Sequence, residues 1–322
     1  MTRRASPVVP RIAIDARAKL NLTLAIGPPR EDGFHDLVTV FQSISLADTL
    51  ILEPRRSGFS LVIRHEDVSL RGPALHTARG GDPVSVPHGD DNLVLRAAHR
   101  VAAELKLHAG ARCTLIKRIP AGAGMGGGSA DAAAVIAALP ALYGMRLVPA
   151  QRRAIALELG SDVPFALLGG SGVGQGRGET LTRIAIDQGF RALIAVPAWR
   201  VSTARAFARI DHHKYGLTAR GLNLRSAQIL GREQLSVTSL MRLGNTFEKV
   251  LGDRRSDFIS LGARLHRAGA VAVRMTGSGS AVFAVLGPVT PFAEVVGHFT
   301  GSETLYAVRS ARSGLRRHGA VT

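Results

Sequence analysis

The sequence predicts a mixed α+β fold in two parts, residues 1–185 and 186–322. Three observations carry that expectation. The first third alternates short β-branched, near-period-two runs with turns, the pattern of half-buried strands. A glycine-dense loop at 120–129 separates one such run from an alanine-rich segment of helical length. Beyond a soft boundary at 184–191, a buried strand opens a second alternation of helical and strand patterns.

Taken in order, residues 12–26, 37–44, 49–52 and 59–63 read as strands. Residues 66–91 are rich in Gly, Pro, His and Asp and read as a loop or insertion. Residues 92–106 place Leu93, Leu95, Ala98, Val101, Ala102 and Leu105 on one helical face. A strand at 111–119, the glycine loop, a helix at 130–142 and another at 150–159 follow, then a glycine-laced hairpin at 164–182. The second part reads as a strand at 192–197 and helices at 203–210, 239–251 and 257–268. It closes with a strand pair around 276–280, a helix near 291–299 and a strand at 304–308.

Composition narrows the class. The 322 residues suffice for one large or two medium domains. Hydrophobic residues at 46% and charged residues at 20% exclude a disordered or fibrous chain. The formal charge of +17, nearly all arginine, has three readings. It is a solvated basic surface, a nucleic-acid face, or a field that draws in small polyanions. A nucleic-acid face would concentrate the charge and add aromatics, which here are only 5%. The densest cluster is Arg309, Arg312, Arg316 and Arg317, and composition does not choose among the three. The single cysteine, Cys113, excludes an internal disulfide and sits in an apolar run that reads as a buried, inert thiol. No apolar run approaches the roughly 20 residues of a bilayer span, and the basic N-terminus lacks the apolar stretch of a secretory signal. A cytoplasmic protein is expected.

The glycine loop carries chemistry. Pro120, Ala121, Gly122, Ala123, Gly124, Met125, Gly126, Gly127, Gly128 and Ser129 lie between a strand and a helix. Without Cβ atoms, consecutive N–H groups can converge on an anion, and the following helix adds its N-terminal partial charge. Gly122, Gly124 and Gly127 satisfy the dinucleotide-binding spacing, but no acidic residue follows about 20 positions on. Walker A also fails, because Gly128 and not lysine precedes Ser129. A flexible connector seldom places so many glycines directly before a helix, and the alternative to it is a phosphate loop without its own lysine.

This loop resembles the ATP-binding signature of the galactokinase, homoserine kinase, mevalonate kinase and phosphomevalonate kinase (GHMP) superfamily. The Pro-x-Gly-x-Gly-x-Gly-Gly-Gly-Ser form is that of its cytidyl branch. Ala130 stands where many members carry a second serine, which leaves Ser129 as the candidate metal ligand. The same branch pairs an Ala-Lys-x-Asn-Leu segment, here Ala18 to Leu22, with an Asp-Gly-Tyr-His turn and a Phe-Gln strand. Here the turn is Asp32, Gly33, Phe34 and His35, with phenylalanine in place of tyrosine, and the strand has Phe41 and Gln42.

Gly160-Ser161-Asp162-Val163-Pro164 is read alone as either a turn or an acid at a helix end. In the related kinases the matching aspartate is the proposed general base, which implies that role for Asp162, with Lys19 beside it offsetting charge on the transferring phosphoryl group. Arg274 to Ala281 resembles the superfamily's C-terminal glycine motif, which implies that Gly277, Ser278 and Gly279 close over the reacting centre. The segment from Pro197 to Phe207, with Thr203, resembles the one that supplies an aromatic against cytosine. The resemblance thus implies a ring sandwiched by Phe34 and Phe207, with His35 and Asn21 among the substrate contacts. Asn92 and Lys117 match positions near the adenine pocket, although Asn92 is equally a helix N-cap.

The likeness runs from about residue 16 to about residue 284 in four ordered blocks. It implies a ribosomal-protein-S5-like first domain, a ferredoxin-like second one and a cleft between them. It further implies ATP and Mg²⁺, an acceptor carrying a cytidine diphosphate group, and neither nucleic acid nor membrane as partner. The implied reaction moves the γ-phosphate of ATP to the 2-hydroxyl of 4-diphosphocytidyl-2-C-methyl-D-erythritol. Two rivals stand beside it: a homoserine- or mevalonate-type kinase, against which the Phe34-His35 pair and the triple glycine argue, and a basic nucleic-acid-binding protein on an S5-like fold.

Overall fold

The computed structural model describes residues 11–70, 86–186, 189–233, 235–299 and 303–318. Strands β1 (Ile12–Pro29) and β2 (His35–Arg55) form a long antiparallel hairpin. β2 runs through residues 45–48, where the pattern suggested a gap, because Leu46 and Asp48 stay buried on the continuing pleat. β3 (Phe59–His65) pairs in parallel with β4 (Gly110–Lys117), which pairs antiparallel with β2. The hairpin β5 (Ser171–Gln175) and β6 (Thr180–Arg183) extends β2 at the other end.

One face of this sheet is covered by α1 (Leu93–Leu105), α2 (Gly127–Leu142), α3 (Pro149–Leu159) and α4 (Val163–Leu168). α2 is alanine-rich and buried along most of its length, including Ala130, Ala132, Ala133, Ala134 and Ala138. Alanine combines the best helix propensity with the smallest side chain, so this helix can lie deep between its neighbours. α4 occupies the start of the segment read as a hairpin. Pro164 in its first turn is preorganised for a helix, and the strands begin only at Ser171.

The second sheet has the order β10-β7-β9-β8, all antiparallel. Its strands are β7 (Arg191–Val196), β8 (Ala270–Met275), β9 (Val282–Leu286) and β10 (Thr304–Arg309). α8 (Arg255–Arg267) and α9 (Phe292–Gly297) pack outside it. α5 (Thr203–His213) lies against the 246–250 turn beside the end of β1, α6 (Ala219–Leu230) packs on β1, β2 and β5, and α7 (Val237–Arg242) bridges β1 and β8. The inner faces share one core, in which Leu20, Leu22 and Val40 meet Ile194, Phe283 and Tyr306. Burying that apolar area stabilises the two units as one body, at about 25 cal/mol per Å².

Three departures from the sequence pattern have local causes. α6 was not legible because its apolar residues do not keep to one face: Leu222 and Ile229 are buried beside Ser226, while Leu224 and Leu230 are exposed. The helix expected at 239–251 ends at Arg242, with Gly244 at φ +81° and a 3₁₀ turn at Thr246–Val250. The strand pair expected around 276–280 is the turn joining β8 to β9. The final strand, β11 (Leu315–Arg317), returns to pair with β1 in the first sheet. Most of the insertion read at 66–91 lies outside the described residues. Among the described residues no helix is long and apolar enough to cross a membrane.

Candidate active site

The β1–β2 register shifts between Arg17 and Lys19, where β1 passes from one hydrophobic core to the other. That irregularity delivers Lys19 to the junction of the two units. Its Nζ donates to Asn21 Oδ1 at 2.7 Å and to the Gly124 carbonyl at 2.9 Å, and lies 3.5 Å from Asp162 Oδ2. Asp162 precedes α4 yet makes no side-chain capping bond. The turn alternative for this residue therefore leaves its carboxylate unaccounted for, whereas the ion pair with Lys19 employs it.

The glycine loop leads from β4 into α2 with Gly122, Gly124 and Gly126 at φ +68°, +81° and +69°. A Cβ on Gly126 would lie 3.2 Å from Lys19 Cγ and Cε and 3.5 Å from Asp162 Oδ2. The loop interlocks with the β8–β9 turn: a Cβ on Gly124 would stand 2.4 Å from the Thr276 carbonyl oxygen. The Ala281 N–H donates to the Ala123 carbonyl, and Arg200 donates to that of Ala121.

Two cavities open on either side of this loop. One, of about 360 Å³, is lined by all ten residues from Pro120 to Ser129 together with Asn92, Lys117 and Asp131. The other, of about 480 Å³, is lined by Lys19, Asn21, Phe34, His35, Asp162, Thr203, Phe207 and residues 277–279. Gly122, Gly124, Gly126 and Ser129 border both. Ala130 is buried behind the loop in the helical core. A phosphate chain held in the first cavity would reach the second across this shared rim, on whose far side Lys19 and Asp162 stand against Gly126.

Asn92 caps α1, its Oδ1 accepting the Val94 N–H at 2.8 Å while its amide donates to the Pro87 carbonyl. It thereby ties residues 86–87, for which the sequence suggested no role, into the first cavity's wall. Lys117 is buried between Asp48 and Asp131, donating to both. Burial opposes its charge, but the two carboxylates win and push its pKa up. Burial also pushes the Asp131 carboxyl up, to about 8, against the pull of Lys117. Its Oδ1 has no partner among the described residues.

In the second cavity, His35 Nδ1 bonds the Gly27 carbonyl at 3.0 Å and Nε2 lies 3.5 Å from Asp211. Phe207 stacks on the His35 ring with centroids 4.9 Å apart. Phe34 is 46% exposed, and the Arg177 guanidinium sits 3.6 Å from its ring centroid. Thr203 and Ser278 share a hydroxyl hydrogen bond of 2.7 Å across the cleft. All the expected site residues except the buried Ala130 therefore line one cavity or the other. Sequence reasoning missed Thr39, Asp48, Asp131 and Arg177, and it gave Thr276 no role although that residue lies within the Arg274–Ala281 block. Of the four missed, only Asp131, two positions past Ser129, and Arg177, in a glycine-rich stretch, carried a local signal.

Residues 92–170 match the family model described as the GHMP kinases N-terminal domain. The chain is 38% identical over 271 residues, 83% of its length, to 79% of a 4-diphosphocytidyl-2-C-methyl-D-erythritol kinase from Solibacter usitatus. The chain belongs to that kinase family. A solved kinase named for the same substrate superposes with a TM-score of 0.70 at 31% identity, covering 92% of this chain and 98% of its own. A homoserine kinase from Cytophaga hutchinsonii reaches 0.65 at 16% identity, over 98% of this chain and 100% of its own, which shows the shared fold alone. Membership in the family accounts for the two-domain α+β architecture and for the order of the four motif blocks.

Proposed function

We propose that this kinase transfers the γ-phosphate of ATP to the 2-hydroxyl of 4-diphosphocytidyl-2-C-methyl-D-erythritol, with residues 1–185 carrying the donor loop and 186–322 completing the cleft. The observation that carries the reading is the Lys19–Asp162 pair in the second cavity, set against Gly124 and Gly126 of the rim that the two cavities share. ATP occupies the first cavity, its phosphates against the loop N–H groups and the start of α2. Asn92 and Lys117 stand in the same wall, toward the adenine end. The acceptor lies in the second cavity.

As the acceptor oxygen bonds to the γ-phosphorus, the bond to the β-bridging oxygen breaks and ADP leaves. The hydroxyl proton passes to Asp162, and Lys19 offsets charge on the transferring oxygens. Asn21 holds the lysine through its Oδ1. Phe34 and Phe207 flank the cytosine, with His35 at its edge, and Thr203, Gly277, Ser278 and Gly279 close the cleft. For Phe207 this requires the nucleobase to take the ring face not stacked on His35. For Phe34 it calls for the same arrangement beside Arg177.

Magnesium fits this arrangement. Ser129 borders both cavities, and no cluster of three carboxylate, histidine or cysteine groups stands among the described residues. Ser129 would hold an ion carried chiefly by triphosphate oxygens and water. Such an ion neutralises charge on the phosphates. The positive field of the chain suits a polyanionic acceptor, and aromatics at 5% leave few rings for stacking nucleic-acid bases.

A coupled ADP-release assay over a panel of alcohols tests the reading. Turnover is expected with the cytidyl acceptor and very little with 2-C-methyl-D-erythritol 4-phosphate, homoserine or mevalonate. CDP should compete with the acceptor and not with ATP. Asp162→Asn should lose roughly 10²–10⁴-fold in turnover while still binding ATP. Equal turnover with the truncated acceptor would overturn the cytidyl assignment, and near-normal turnover in folded Asp162→Asn would overturn the base.

A further inference from the structure

The break in the helical pattern at residues 243–245 is where a bracket forms. Gly244 takes φ +81° and Asn245 is extended, at φ −127° and ψ 122°. The segment is stitched to β1. The Leu24 N–H and the Thr23 hydroxyl both donate to the Gly244 carbonyl, at 3.0 and 2.8 Å, and the Ile26 N–H donates to Thr246 Oγ1 at 3.2 Å.

From that anchor two side chains reach the β8–β9 turn. Asn245 Nδ2 donates to the carbonyls of Met275 at 2.9 Å and Gly277 at 2.8 Å, while its Oδ1 accepts the Phe247 N–H at 3.0 Å. Every polar group of this buried amide is thereby used. Glu248 Oε1 accepts the Met275 N–H at 2.9 Å, and its other oxygen lies 3.6 Å from Arg274. Neither residue borders the acceptor cavity, so both act through what they hold.

What they hold touches both groups to which Lys19 donates, Asn21 and the Gly124 carbonyl. Thr276 Oγ1 accepts the Asn21 N–H at 3.1 Å and lies 3.3 Å from Asn21 Oδ1, the atom to which Lys19 donates. Gly124 lies against the same turn so closely that a Cβ there would meet the carbonyl oxygens of Thr276 at 2.4 Å and Gly279 at 3.1 Å. A shift of the turn is therefore transmitted to Lys19 and to the phosphate loop together. Fully bonded buried polar groups of this kind fix one arrangement, because any other leaves a donor or acceptor unpaired.

We propose that Asn245 and Glu248 are positioning residues for phosphoryl transfer, setting residues 275–279, and through Thr276 and Asn21 the Lys19 ammonium, in the reactive geometry. The proposal rests on the kinase reading. Its signature is a loss in the chemical step that far exceeds any loss of nucleotide affinity, since of the first cavity's lining only the loop edge at Ala123 and Gly124 touches the turn, whereas Lys19 depends on it through both Asn21 and the Gly124 carbonyl.

The test uses the full chain. Asn245→Asp sets carboxylate oxygens against two carbonyls, and Glu248→Ala removes the acceptor for Met275. Each is expected to lower kcat by about 10²-fold, the effect of misplacing reacting groups by about an ångström. ADP affinity by calorimetry should change by less than about 3-fold, well short of the roughly 10²-fold loss in the chemical step. Glu248→Gln keeps the accepting oxygen and should recover most of the loss, which also serves if Asn245→Asp does not fold. Folded variants with wild-type kcat would overturn the proposal. So would a parallel fall in kcat, ADP affinity and melting temperature, or a Gln variant no better than Ala. A wild-type chain that binds ADP and transfers phosphate to no acceptor would overturn the kinase reading, and the proposal with it.

Discussion

At the scale of single residues, the site depends on charges kept in unusual surroundings. Lys117, Asp48 and Asp131 are all buried, and a lysine between two carboxylates leaves the trio with a surplus acidic group. Burial answers by raising the Asp131 pKa to about 8. An unfolded chain would titrate that group near about 3.9. The folded state thus binds the proton more tightly, and the stability linked to it is complete below about pH 4 and lost as pH rises through about 8. Melting temperatures of wild type and Asp131→Asn, compared from pH 5 to 8.5, should show a steeper decline in the wild type. Parallel curves would place the titration elsewhere. Cys113 follows the same physics more simply: burial pushes its thiol up to about 12, in keeping with the inert thiol read from its apolar run.

At the scale of elements, two glycine turns from distant parts of the chain form one surface. Their glycines serve different ends. Gly124 is forced by the approach of the Thr276 carbonyl, whereas Gly126 keeps clear space beside Lys19 and Asp162. With Gly126 at φ +69°, an L residue also carries a backbone penalty of roughly 1–2 kcal/mol. Gly126→Val is therefore expected to displace Lys19, lowering kcat at least as much as ATP affinity. The measurement is steady-state kinetics beside calorimetric ATP binding. Unchanged values in both would remove the loop from the site. The glycine pattern was plain in the sequence, and its partner turn was recognisable beside it. Their interlock was not legible, since nothing local in Gly124 records an oxygen more than 150 positions away.

At the scale of the whole molecule, the last segment closes the first sheet. β11 pairs with β1 from Ile14 to Ala16, the Arg17 N–H donates to the Gly314 carbonyl, and the Arg17 guanidinium bonds Ser313. Arg17 lies two residues from Lys19, so the return strand supports the edge that carries the site. Removing residues 313–322 should lower unfolding free energy by about 2–4 kcal/mol, counting a few hydrogen bonds at about 1 kcal/mol each. Denaturant unfolding of the truncated chain checks this, and an unchanged midpoint would show β11 to be passive. The basic cluster at 309–317 was visible in composition, but its use as a strand was not, because three residues are too few for a period to register.

By itself the sequence determined the parts that local chemistry specifies. Glycines mark where backbone must take positive φ or approach closely, alanines mark the helix behind the phosphate loop, and alternation marks β1 and β2. The Lys19 and Asp162 segments were recognisable only through their resemblance to the kinase superfamily, since locally they read equally as a surface lysine and a turn acid. Only the tertiary structure decided that these two charges meet, that Lys117 is shared between Asp48 and Asp131, and that a helical pattern yields at Gly244 to a bracket on the β8–β9 turn. The physical reason is common to all three. Each is a balance of burial, pairing and hydrogen-bond satisfaction among groups far apart in the chain, and that balance exists only once the two sheets close on their shared core.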